Sequence, residues 1–179
     1  PANIKPGMDI IVSGTLGDHA ATVMAARHNL TLPPEIMSDC APLCHMTAAM
    51  LAEAPGIAVL RDPTRGGVAA SLNELAGAAG VGILLDEERI PVRPAVQGVC
   101  ELLGFDPLTL ANEGKLLAFT QPADTERVLR VMHADPHGTE ACVIGQTTAE
   151  APGEVGLRTA LGGIRVVDMP LGELVPRIC

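Results

Sequence analysis

Aromatic side chains are nearly missing from this chain of 179 residues, which has two Phe and neither Trp nor Tyr. Unstacked bases would find no platform to lie on, which argues against single-stranded nucleic-acid binding. Cations are also scarce, 12 Lys and Arg against 21 Asp and Glu, for a net charge of −9. A nucleic-acid surface needs clustered positive charge, so no nucleic-acid partner is expected. No stretch of about 18 apolar residues runs without Gly, Pro or a charge, which excludes a membrane-spanning helix. No basic segment leading into an apolar one opens the sequence, so a secretory leader is not expected and the compartment is read as cytoplasmic. The first residues are Pro1-Ala2-Asn3 rather than Met, which reads as a domain cut from a longer protein.

Metal chemistry is poorly provided for. Cys40-x-x-x-Cys44-His45 has no second ligand pair at comparable spacing, and Pro136 interrupts any helix shared by His133 and His137. No metal site is therefore expected. Five cysteines make an odd number, which does not suit a full disulfide framework. Cys40, Cys44, Cys100 and Cys142 sit among apolar residues and are expected to be small core hydrophobes. The fifth, Cys179, is the last residue.

What the chain does have is apolar bulk, 47% hydrophobic against 18% charged, enough for one domain with a real core. The run 8–12 reads as a strand ended by Ser13-Gly14. Asp18 is placed to cap a helix reaching His28, and Pro33-Pro34 marks 29–39 as a loop. Further helices are expected over 42–54, 92–103 and 123–133, with strands over 57–60, 81–85, 116–120 and 141–146. The clearest helix carries Val68, Leu72, Leu75, Ala76 and Ala79 on one face. Segments 155–159 and 164–167 around Gly162-Gly163 read as a β-hairpin, which breaks strict alternation of strand and helix. The expected class is α+β, a mixed sheet packed with helices over 1–170, with a flexible C-terminal tail over 171–179.

Four strings could carry chemistry. Asp62-Pro63-Thr64-Arg65-Gly66-Gly67 precedes the clearest helix, where paired glycines let backbone N–H groups approach an anion. A tight lead-in turn explains the same residues. Ala111-Asn112-Glu113-Gly114-Lys115 would hold the Glu113 carboxylate at a sharp turn, as a general base or as a solvated charge. Gly17-Asp18-His19 is either a simple cap or a place for an anion or proton. Cys179 has no packing role at a terminus, so it is either incidental or the acceptor of a transferred group. Nine extended residues from Leu171 reach roughly 30 Å, enough to deliver that thiol to a distant site.

Together with Leu72-Asn73-Glu74, Cys100-Glu101-Leu102-Leu103-Gly104-Phe105-Asp106-Pro107-Leu108, Gly162-Gly163-Ile164-Arg165 and the terminal Pro176-Arg177-Ile178-Cys179, these strings make a recognisable series. The chain resembles the C-terminal part of the HypE family of hydrogenase expression/formation proteins. The Thr-Arg-Gly-Gly string is shared more widely with aminoimidazole ribotide and selenophosphate synthetases. The resemblance implies an aminoimidazole ribotide synthetase-like C-terminal domain and a role in maturing [NiFe]-hydrogenase. It implies that Cys179 accepts a carbamoyl group from the carbamoyltransferase HypF, and that dehydration using ATP and Mg2+ gives a thiocyanate. The cyanide then passes to iron held by HypC–HypD. By the same resemblance Glu113 lies near the reacting amide, and Asp62, Thr64, Arg65, Gly66 and Gly67 lie near the nucleotide phosphates, with His19 a weaker member. The family's N-terminal half, with most ATP ligands and the homodimer surface, is missing from this chain, so an incomplete site is expected. The alternatives are another ATP-dependent synthetase or kinase of the superfamily, or a docking module without activity of its own.

Overall fold

The computed structural model describes residues 1–170. The expected tail at 171–179, with Cys179, lies outside the described residues. The chain runs β1 (Asp9–Val12), α1 (Asp18–Arg27), α2 (Cys44–Glu53), β2 (Val59–Arg61), α3 (Gly67–Ala79) and β3 (Gly82–Asp86). It continues through α4 (Pro94–Leu103), β4 (Leu117–Thr120), α5 (Pro122–His133), β5 (Cys142–Thr148), β6 (Val155–Arg158) and β7 (Ile164–Val166). Short 3-10 turns at Glu87–Arg89 and Pro107–Thr109 flank α4.

All seven strands form one sheet, in the order β2-β4-β1-β5-β3-β6-β7. Every neighbouring pair is antiparallel except β3 with β6. This is the mixed α+β sheet that the terminal hairpin implies, and β6 and β7 are that hairpin.

Alternation along the central strands builds the two faces of the sheet, because successive side chains point to opposite sides. Ile10, Val12, Leu117 and Phe119 pack with Val68, Leu72, Leu75 and Ala76 of α3. On the other face, Ile11 and Ala118 meet Met46 and Met50 of α2 and Val128 and Met132 of α5. With both faces covered, β1 and β4 are buried at every position. A smaller cluster joins Ala20 and Ala21 of α1 to Val96, Val99 and Cys100 of α4.

Some local expectations need correction. The strand expected at 57–60 is Val59–Arg61, since Ile57 is spent in a turn bonded to Ala54. Asp18 does not cap α1: Gly17 is the N-cap residue, and Asp18 is the first helical residue. Cys40 and Cys44 are exposed rather than in the core, whereas Cys100 is buried and Cys142 half-buried. The reason is geometric: α2 buries only the stripe Met46 and Met50, and Cys44 falls off it.

Candidate functional site

The fold brings three of the four sequence strings to one corner. Asn112, fully buried, is the tie. Its Oδ1 accepts the Gly17 N–H at 2.8 Å, and its Nδ2 donates to the carbonyls of Leu110 (2.9 Å) and Pro63 (3.2 Å). Its backbone N–H also donates to Pro63 O, at 3.2 Å. One amide therefore connects the turn before α1, the turn before α3 and the segment leading into β4. An amide suits this place because it carries donors and acceptors together, so every buried group it meets is satisfied.

Glu113, the next residue, has an exposed side chain, while its backbone N–H donates to Asp39 Oδ1 at 3.0 Å. Asp39 also pairs through Oδ2 with Lys115 Nζ at 3.3 Å, and its side chain is only 3% exposed. Gly114 is required between them: a Cβ there would sit 1.7 Å from Asp39 O. The Lys115 stem lies against Gly14, in the turn after β1.

A cleft of about 290 Å³ opens beside this turn. Its charged lining includes Asp18, Asp39, Arg93, Lys115 and Glu140, with the exposed Cys40 at the same wall. The Thr15 hydroxyl donates to Asp18 Oδ2 at 2.5 Å, and Arg93 Nε approaches the same carboxylate at 3.5 Å. Arg93 Nη2 donates to Glu140 at 2.6 Å. Asp18 Oδ1, Asp39 Oδ2 and Arg93 Nε are buried without a hydrogen-bond partner among the described residues, the Asp39 oxygen having only its ion pair with Lys115. Such atoms carry a desolvation cost, which makes the cleft a place where polar contacts are still available. His19 does not join the pocket lining; its Nδ1 lies 2.8 Å from Ser38 Oγ.

The glycine pair before α3 is explained by packing. Gly66 is the N-cap residue at φ 71°, and Gly67 follows at φ 62°. A Cβ on Gly67 would lie 2.5 Å from the carbonyl oxygens of both Leu108 and Leu110. The Gly67 N–H donates to Thr64 O at 3.0 Å. The place a side chain would need at Gly67 is thus filled by the chain's own backbone, which accounts for the glycine. Asp62 and Arg65 are exposed and Thr64 half-buried, so the turn presents a polar rim. Among the described residues no group of three His, Cys, Asp or Glu is placed to hold a metal ion.

Sequence reading missed Asp39 and Arg93. Nothing local marks either one; the only trace is Gly114, whose need for close approach implies a segment lying over it. Asn112 stood inside a recognised string, but its bonds to Gly17 and Pro63 cross the molecule and only the one to Leu110 is local.

The chain belongs to the family of AIR synthase related proteins, C-terminal domain, whose model matches residues 5–158. Within that family the similarity is narrower. The chain is 52% identical over 176 residues to the carbamoyl dehydratase HypE of Rhodobacter capsulatus, covering 98% of this chain and 52% of that protein. It superposes on a crystal structure of hydrogenase maturation protein HypE with a TM-score of 0.95 at 41% identity, covering 99% of this chain and 57% of that one. A HypE structure in complex with ATP matches at TM-score 0.93 and 40% identity, covering 99% and 54%. A HypE–HypF complex matches at TM-score 0.88 and 41% identity, covering 94% and 55%. The chain spans about half the length of these relatives.

Proposed function

We propose that this chain is the part of a carbamoyl dehydratase for hydrogenase maturation that carries the acceptor thiol, Cys179, and one wall of the reaction site. The observation that supports this most is the end of the sequence, Pro176-Arg177-Ile178-Cys179, on a chain 52% identical to a carbamoyl dehydratase. A synthetase or kinase acting on a free small molecule has no use for a terminal thiol.

The chemistry balances. Attack of the Cys179 thiolate on the carbonyl carbon of a carbamoyl group activated as an ester or anhydride forms the C–S bond, breaks the C–O bond to the activating group, which leaves with its oxygen, and gives a protein thiocarboxamide. ATP, when bound, supplies a phosphoryl group that turns the amide oxygen into a leaving group. Loss of that oxygen as phosphate and of two N–H protons leaves S–C≡N. Glu113, held at the Asn112 corner with an exposed carboxylate, is proposed to take one of those protons. Asp62, Thr64, Arg65, Gly66 and Gly67 are proposed to face the nucleotide from the rim of the α3 turn. ATP and Mg2+ would be held mostly by the remainder of the full-length protein. In this reading residues 1–170 are the scaffold and 171–179 the segment that presents the thiol. HypF delivers the carbamoyl group, HypC–HypD receives the cyanide, the full-length protein is a homodimer, and the work is cytoplasmic.

The test is intact mass after incubation with HypF, carbamoyl phosphate and ATP, on this chain, on the full-length protein and on its Cys179→Ala variant. A carbamoyl adduct that needs Cys179, and that loses one water in the full-length protein, is the expected result. Water loss from the isolated chain as well would mean that its wall of the site is sufficient. No adduct on the full-length protein would overturn the proposal.

A further inference from the structure

The cluster that the proposed chemistry does not use is the buried carboxylate of Asp39. It lies on the loop before α2, far along the chain from Glu113, yet it holds both ends of the Glu113 turn. Oδ1 accepts the Glu113 N–H at 3.0 Å and Oδ2 pairs with Lys115 Nζ at 3.3 Å. Between these two points the turn can approach only because residue 114 is Gly, which rests on the Asp39 carbonyl and Ala41 N. The side chains of Asp39 and Lys115 are 3% and 12% exposed, so water competes little for the ion pair. Asn112 fixes the turn from the other side. A side chain on a turn pinned at residues 112, 113 and 115 has few backbone conformations left, which is what a group acting on a reacting atom requires.

The geometry points to Asp39, braced by Lys115, as the positioning residue for Glu113, which touches the amide in the proposed function while Asp39 does not. This inference rests on that reading of Glu113. Asp39 acts through the carboxylate oxygen that takes the Glu113 N–H, with the charge on Lys115 keeping that oxygen in place. Asparagine at 39 keeps an acceptor of the same size for the Glu113 N–H and loses only the charge. Alanine loses both.

The experiment uses the full-length protein, carbamoylated by HypF and then mixed with ATP, with the rate of water loss followed by intact mass. Asp39→Ala is expected to lower the rate constant at saturating ATP about tenfold or more, with the half-saturating ATP concentration unchanged. Asp39→Asn is expected to recover part of that loss, because it keeps the acceptor but gives up the ion pair with Lys115. Glu113→Gln should slow the step by about 100-fold or more, as removal of a general base does. The double variant Asp39→Ala/Glu113→Gln should then be no slower than Glu113→Gln alone, because Asp39 acts only through Glu113. A purely structural role would slow both backgrounds by the same factor, and that result overturns the inference, as does a wild-type rate for Asp39→Ala. A wild-type rate for Glu113→Gln would instead remove the reading of Glu113, and the positioning role with it. Thermal unfolding checks that each variant folds. If Asp39→Ala does not, Lys115→Met carries the test, because it releases the Asp39 carboxylate while leaving it present. A normal rate for a folded Lys115→Met would then reject the brace.

Discussion

At the scale of single residues, burial separates the cysteines into two chemical kinds. Cys100, on the buried face of α4, has its thiol pKa pushed up to about 11 by burial first, then by the neighbouring charges of Asp106 and Glu101. Burial raises the Cys142 thiol as well. Cys40 and Cys44 are exposed. Because the thiolate is the reactive form, alkylation followed by peptide mapping should label Cys40 and Cys44 at neutral pH well before Cys100. The Cys100 shift also sets a sign for stability. The unfolded thiol ionises near its ordinary value of 9.0 and the folded one near 11, so the contribution is complete below pH 9 and is lost between 9 and 11. Urea unfolding at pH 8 and at pH 11 should show Cys100→Ser changing that dependence by up to about 2 kcal/mol. Sequence placed all four internal cysteines in the core, which holds for Cys100 and fails for the exposed Cys40 and Cys44. Apolar neighbours in sequence say little about which side of a helix a residue faces.

At the scale of elements, α3 tests how helices are docked here. Its buried face, from Val68 to Ala76, is the one its periodicity predicts, because a 3.6-residue repeat is a local property. Its N-terminus is set by something non-local, the carbonyls of Leu108 and Leu110 against Gly67. Gly67→Ala should therefore destabilise by about 2–4 kcal/mol, from the clash together with the positive φ. Gly77, exposed in the same helix, has open space at its Cβ position. Gly77→Ala should stabilise by about 0.5–1 kcal/mol. Chemical denaturation of the two variants side by side measures both, and equal effects would mean that the 108–110 contact does not govern the helix start. The turn before α1 makes the same point. Asp18 has the residue type of a cap, yet it stands one residue inside α1, and its carboxylate accepts from the Thr15 hydroxyl with Arg93 beside it. Thr15 is a local partner, but Arg93 lies on α4's lead-in, which no local pattern reveals.

At the scale of the whole molecule, the sheet is organised around β1, which pairs with β4 on one side and β5 on the other. Phe119, one of only two Phe in the chain, lies on β4 and is fully buried opposite Ile10. Phe119→Ala should cost about 3–5 kcal/mol, read as a lower urea midpoint, since it opens a cavity where the two central strands meet α3. The sequence by itself determined a good deal. Element types, the α+β class, the turns at 62–67 and 111–115 and the family resemblance all follow from residue order, because propensity, periodicity and motif spacing act over a few residues. Only the tertiary structure decided the strand order, the single parallel pair of β3 with β6, and the corner where Asn112 and Asp39 hold the Glu113 turn. Asp39 and Glu113 are 74 residues apart, and Gly17 and Asn112 are 95 apart. Contacts at such separations are selected by how a buried sheet face and its helices pack together, a condition that no short stretch of the chain carries.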